Sequence, residues 1–210
     1  GTSTIAIIPW NIYLFYGDSK LLADCYENIK RYVDYVDRTS PSGLTSWGRG
    51  DWVPVKSHSS KELTSSVYFY VDTKILANAA KLFNKQEDYE HYQALAEKIR
   101  QAINDKYLNR ETGIYASGVQ TELSVPLMWG IVPKDMKAKV ARNLAKKVEE
   151  AGFHLDVGVL GAKAILNALS ENGEAETAYK VAAQDTYPSW GCWIANGATT
   201  LHRAARRRRS

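Results

Sequence analysis

Cysteine, histidine and long apolar runs are scarce in this chain, and each scarcity removes a class of protein. Two cysteines, Cys25 and Cys192, stand among 210 residues, too far apart for a metal knuckle or a redox pair. The four histidines share no ligand spacing. His58 and His91 have no second ligand nearby in sequence, so no metal site is expected. No apolar run approaches the ~18 residues of a membrane span, and no basic-then-apolar signal segment opens the chain. Strand signals are few, limited to 107–118, where Glu111-Thr112-Gly113 marks the middle of a small hairpin. What is present is a 45% hydrophobic share with 13 tyrosines and 6 tryptophans. That content suits one globular domain and excludes a disordered or collagen-like chain.

The formal charge of +4 invites a nucleic-acid reading. Its location argues otherwise. Arg203, Arg206, Arg207, Arg208 and Arg209 crowd the last eight residues, and without them 22 basic face 23 acidic residues. The body is near neutral. The arginine run lacks interleaved aromatics, so salt-dependent, non-specific polyanion binding is expected of it and no specific nucleic-acid partner. The domain is read as 1–201, with 202–210 a basic tail of non-native origin, vector-encoded or frameshifted.

Most of the sequence has helical periodicity. Gly17-Asp18-Ser19 opens a helix with the stripe Leu22, Cys25, Ile29, Val33 and Val36, which makes Cys25 an inert buried thiol. Ser59 with Glu62 reads as a capping box, opening a helix with Leu63, Val67, Val71, Ile75, Ala79 and Leu82. Tyr92, Leu95, Ala96, Ile99, Ala102 and Ile103 mark the returning helix. Pro133 suits a first helical turn, followed by Met136, Val140, Leu144 and Val148 and stopped at Gly152.

Lys- and Glu-rich helices (19–37, 86–106, 133–151, 174–184) alternate with apolar, small-residue ones (5–16, 61–82, 120–131, 158–170, 191–201). The first kind should keep one solvated face and the second be nearly buried. Strict alternation predicts an all-α fold, an (α/α)6 toroid of inner and outer rings. About nine helices make four and a half hairpins where a closed toroid commonly has six, so an incomplete ring is expected. Its open flanks should be apolar, and self-association through them follows.

The loops leading into inner helices surround one mouth, and their polar residues are the functional candidates. These loops are 46–54 with Asp51 and Trp52, 116–122 with Gln120 and Glu122, 153–158 with His154 and Asp156, and 185–191 with Tyr187 and Trp190. Aromatic faces beside amides and carboxylates suit a carbohydrate cleft. Structural readings stand beside each: Trp52 packing under its loop with Asp51 capping a turn, Gln120 and Asp156 capping helices, His154 as a hydrogen-bonded structural histidine, Tyr187 and Trp190 as core. Arg49-Gly50-Asp51 spells an adhesion tripeptide, but Gly-Asp-Trp explains the loop better. Cys192 carries no functional reading.

Ile7-Ile8-Pro9-Trp10-Asn11-Ile12-Tyr13 with Tyr16-Gly17-Asp18, then Gly50-Asp51-Trp52, Tyr187-Pro188-Ser189-Trp190-Gly191 and Gly197-Ala198-Thr199-Thr200-Leu201 resemble the catalytic domain of bacterial α-L-rhamnosidases, glycoside hydrolase family 78. The resemblance runs from about residue 5 to residue 201. It implies an (α/α)6 barrel that removes terminal α-L-rhamnose with inversion and without a cofactor, in a parent of periplasmic or extracellular location. It also implies substrate contacts at Asp51, Trp52, Gln120, His154, Tyr187 and Trp190.

Inversion needs a carboxylic acid and a second carboxylate roughly 6.5–9.5 Å away. The family's acid lies on an Asp-Cys-Pro…Arg-Glu segment of which these 210 residues hold no copy. Its base is the Glu of Thr-Thr-Leu-Trp-Glu, where this chain has Thr199-Thr200-Leu201-His202-Arg203. Arginine stays protonated and accepts no proton. Losing one such group removes roughly 10²–10⁴-fold of rate, so no catalytic residue is assigned and the isolated chain is expected to be inactive. Two alternatives stay open: a non-catalytic helical sugar-binding or scaffold module, and a fragment of another six-hairpin glycosidase.

Overall fold

Two of the helices are buried on nearly every side and three bury a single stripe, and that difference marks an inner and an outer ring. The computed structural model describes residues 4–47, 60–155 and 159–183. The helices are α1 (Thr4–Tyr16), α2 (Lys20–Thr39), α3 (Lys61–Leu82), α4 (Gln86–Tyr107), α5 (Gln120–Met128), α6 (Lys137–Glu150), α7 (Val159–Glu171) and α8 (Ala175–Ala182). Between α4 and α5 lies a hairpin of β1 (Leu108–Asn109) and β2 (Ile114–Tyr115), antiparallel with Leu108 opposite Tyr115. The expected ninth helix, 191–201, lies outside the described residues.

α3 and α5 are covered on nearly every side, their polar side chains Asp72, Gln120 and Glu122 included. Gln120 through Leu127 are all buried in α5, and in α3 burial extends over most positions from Leu63 to Ala80. α2, α4 and α6 instead bury single stripes, such as Val140, Ala141, Leu144, Ala145 and Val148. Burying one such aliphatic side chain contributes about 1.5–3 kcal/mol. α1, α3, α5 and α7 pack in succession, while α2, α4, α6 and α8 each pack against an inner helix. This is the inner and outer layering of an α/α toroid, four hairpins of which are described.

The outer wall has its own fastening. The Tyr26 hydroxyl of α2 donates to Asp88 of α4 at 2.6 Å, and the Tyr92 hydroxyl of α4 donates to Asp34 of α2 at 2.6 Å. Lys30 joins Asp88 at 3.1 Å. Burial raises the Asp88 carboxyl, but hydrogen bonds from Tyr26 and Lys30 outweigh it and leave the group below its ordinary value. Burial, then the bonds to aspartate, push both tyrosine hydroxyls well above theirs.

Four details depart from the periodicity. Tyr26, not Cys25, occupies the buried stripe of α2, and Cys25 is a half-buried free thiol. The tyrosine reaches its partner on α4 by turning its ring into the core, so its polar tip hides an apolar role. The cap of α3 is Ser60, whose side chain accepts from the Leu63 N–H at 3.3 Å, rather than Ser59. Leu82, at the end of the α3 stripe, is 37% exposed. α5 ends at Met128 instead of running to Ile131: Pro126 removes one helical donor, and Gly130 at φ +77° closes the end while the Ile131 N–H donates to the Pro126 carbonyl.

Candidate functional site

The N-termini of the inner helices share one rim, and a single carboxylate ties two of them together. Glu122, in the first turn of α5, is 2% exposed. Its Oε2 accepts the backbone N–H of Ser60, the cap of α3, at 2.9 Å. Its Oε1 accepts the Ser117 hydroxyl at 2.5 Å and the Val119 N–H at 3.4 Å. In a capping box the acid at the third helical position would take its own helix's cap N–H. Here it also takes the cap N–H of a neighbouring helix 62 residues away in sequence. A carboxylate at two helix N-termini is favoured by both helix dipoles. Gly118 makes the approach feasible: it sits at φ +78°, and a Cβ there would lie 2.9 Å from Ile114 Cγ2.

The next loop is tied to the same place. The Gln120 side-chain amide, 4% exposed, donates to the His154 backbone carbonyl at 3.0 Å. That bond joins the start of α5 to the loop entering α7. The loop turns through two left-handed residues, Gly152 at φ +67° and Phe153 at φ +62°, leaving the His154 side chain exposed. Gln120 and His154 are therefore brought together, through a main-chain carbonyl. Asp51, Trp52, Asp156, Tyr187 and Trp190 lie outside the described residues.

Two other carboxylates on α3 were not candidates in the sequence. Glu62, in the first turn, accepts from the Tyr107 hydroxyl at 2.6 Å and pairs with Lys106. Hydrogen bonds from Lys106 and then Tyr107 hold its carboxyl below the ordinary range. Asp72 lies three turns further along, roughly 15–18 Å from the rim at 1.5 Å per residue. It is 1% exposed, and neither of its oxygens has a hydrogen-bond partner. Burial alone pushes its carboxyl well above the ordinary value. Its lone position in a helix of apolar neighbours offered no sequence signal of burial.

The chemistry open to these groups is limited by their partners. Glu122 has donors on both oxygens, Glu62 is held by a lysine and a tyrosine, and Asp72 is sealed from solvent. Each of these three carboxylates is thus engaged by donors or closed off from solvent. No group of three metal-ligating side chains occurs among the described residues. None of the described helices is long and apolar enough to cross a membrane.

Paired helices in two rings, with inner N-termini gathered at one rim, define the α/α-toroid class. The chain belongs to the bacterial α-L-rhamnosidase six-hairpin glycosidase domain family, whose model matches residues 2–204. An α-L-rhamnosidase of Streptomyces avermitilis is 30% identical over 195 residues, covering 92% of this chain and 19% of that protein. An α-L-rhamnosidase structure from Dictyoglumus thermophilum is 36% identical with a TM-score of 0.81, over 94% of this chain and 23% of its own. A Streptomyces avermitilis α-L-rhamnosidase structure complexed with L-rhamnose matches at 29% identity and a TM-score of 0.83, over 93% and 19%. The chain thus spans about a fifth of the length of the relatives it matches.

Proposed function

We propose that these residues form part of the L-rhamnose-binding mouth of an inverting α-L-rhamnosidase, and that the 210 residues by themselves bind the sugar without hydrolysing it. The observation that supports this most is the rim itself: Glu122 and Gln120 hold the loops feeding α3, α5 and α7 in one place. Sugar contacts are assigned to Asp51, Trp52, Gln120, His154, Tyr187 and Trp190, stacking from the aromatics and hydroxyl recognition from the others. The match to a relative complexed with L-rhamnose is consistent with that ligand. Absence of turnover follows from Arg203, which occupies the base position and cannot accept a proton from water. Residues 202–210 stand outside the toroid in this reading.

Calorimetric titration with L-rhamnose, beside an assay on an aryl α-L-rhamnoside, tests both halves. Saturable heat with L-rhamnose, lost in Trp52→Ala, and no turnover above a buffer control are expected. Turnover above the control defeats the second half, and a response to glucose or mannose alone defeats the first.

Self-association is proposed on a separate observation. α1 carries no charged residue, and Ile8, Leu14, Phe15 and Tyr16 are 54%, 58%, 64% and 80% exposed. An uncharged apolar flank of that kind invites a second copy. Light scattering at micromolar concentration should report a dimer or larger; a monomer rules it out.

A further inference from the structure

The turn between α7 and α8 carries the one Asn-Gly pair among the described residues, Asn172-Gly173. α7 ends at Glu171 and α8 begins at Ala175. Gly173 is exposed at φ +85°, and nothing lies within 4 Å of the position a Cβ would take there. The Glu174 N–H reaches across the turn to the Leu169 carbonyl at 2.8 Å, and the Asn172 N–H donates to the same oxygen at 3.4 Å. Between them the Gly173 N–H has no partner among the described residues. The N–H groups of the other turn glycines Gly17, Gly43, Gly113, Gly118 and Gly152 are all bonded.

The Asn172 side chain is held at one end. Its Nδ2 donates to the Ala168 carbonyl at 2.7 Å, while its Oδ1 has no partner among the described residues. Other asparagines are more tightly fixed. Asn104 is bonded through both ends of its amide, to the Tyr115 hydroxyl and the Ile131 carbonyl. Asn109 Oδ1 accepts two backbone N–H groups. The N–H that follows Asn84, that of Lys85, is bonded to the Ala80 carbonyl at 2.8 Å.

In such a pair the following backbone nitrogen can attack the side-chain Cγ. A C–N bond forms and closes a five-membered imide; the Cγ–Nδ2 bond breaks, and the amide proton leaves with that nitrogen as ammonia. Water then opens the ring at either carbonyl, giving aspartate or isoaspartate, and no other reagent is consumed. Glycine suits the attacking position because it has no Cβ to obstruct the approach.

We propose that Asn172 is a self-modification site, converted to aspartate and isoaspartate by attack of the Gly173 nitrogen, and that conversion loosens the α7–α8 hairpin. The product places a carboxylate at the C-terminal end of α7, where the helix dipole disfavours an anion. Glu171, Glu174 and Glu176 surround it in sequence, Glu176 is already paired with Lys180, and no Lys or Arg lies between Lys163 and Lys180. The donor to the Ala168 carbonyl is lost. Isoaspartate also adds a carbon to the main chain beneath the bond from Glu174 to Leu169. Ala168 and Leu169 on one side of the turn and Ala178 and Val181 on the other are buried, so the turn joins two packed faces.

Peptide mapping by mass spectrometry, on the full chain kept folded in mildly alkaline buffer, tests the conversion. Residue 172 should gain one mass unit and its peptide become a substrate for an isoaspartyl methyltransferase, ahead of the peptides holding Asn84, Asn104 and Asn109. Asn172→Gln should remove both changes, because the longer side chain must close a six-membered ring. In the converted protein, amides of α8 should exchange faster while those of α2 and α4 keep their protection. Conversion of residue 172 in urea but not in the folded chain overturns the proposal, since the turn then shields the pair. So does conversion no earlier than at Asn84 or Asn109. Unchanged exchange in α8 after conversion overturns the loosening.

Discussion

Asp72→Asn is expected to stabilise the protein at pH 7 and to gain progressively less as the pH falls. Asp72 is 1% exposed on an inner helix, with no donor to either oxygen. Its carboxyl is pushed well above the ordinary 3.8 by burial, with no charged neighbour contributing. The folded state therefore holds this proton more tightly than the unfolded chain does. Below pH 3.8 both states are protonated and the group costs nothing through ionisation. As pH rises from there toward the raised value, stability falls by about 1.4 kcal/mol per unit. Asparagine cannot ionise, so the relative gain at neutral pH should be about 1–3 kcal/mol. Glu62 and Asp88, whose carboxyls are lowered, act in the opposite sense: their stabilisation is present above the ordinary carboxylate value and lost on acidification. Subtracting parent from variant in urea titrations between pH 4 and 7 cancels those terms. A difference that stays constant across that range would show that burial does not raise the Asp72 carboxyl, the folded and unfolded states ionising alike.

The second large effect belongs to Glu122. Alanine there strands the half-buried Ser60 and Val119 N–H groups at the starts of two inner helices, while the exposed Ser117 hydroxyl can turn to water. Stranded donors cost about 1–3 kcal/mol each and are not additive, so a net loss of roughly 1–3 kcal/mol is expected. Glutamine preserves the shape but turns one acceptor into a donor, and should lose about half as much. Amide exchange separates this from a general softening. The Ser60 amide should exchange much faster in Glu122→Ala, while amides of α2 near Asp34 keep their protection. Uniform acceleration everywhere would mean that Glu122 is an ordinary core residue and not a fastener of the rim.

The ring plan was legible because layering is written in periodicity: an outer helix such as α6 repeats Val140, Leu144 and Val148, and an inner one such as α3 has no polar face. The hairpin at Leu108–Tyr115 showed in its turn residues for the same local reason. What periodicity could not show are pairings between distant residues. Glu122 reads as the acid of its own helix's first turn until Ser60 is seen against it. Asp72 breaks an apolar run and looks like a solvent-facing position, because nothing local says that every face of α3 is covered. Tyr26 and Cys25 are adjacent, and only the location of Asp88 decides which of them turns inward. Of the candidates named from the sequence, Gln120, Glu122 and His154 fall within the described residues, and it is the main chain of His154 that Gln120 meets.

Each hairpin touches chiefly its sequence neighbours: α1 packs on α2 and α3, α3 on α4 and α5, and α5 on α6 and α7. In folding terms this is an array with nearest-neighbour coupling, where stability is a sum of hairpin terms and seam terms. Contacts of short sequence separation form quickly, so hairpins can assemble one at a time along the chain. The long-range bonds, Ser60 to Glu122 and the crossed Tyr–Asp pairs of α2 and α4, then act as the couplings that make separate hairpins melt together. These few polar bonds add to the coupling already carried by one apolar cluster that runs from α1 to α8.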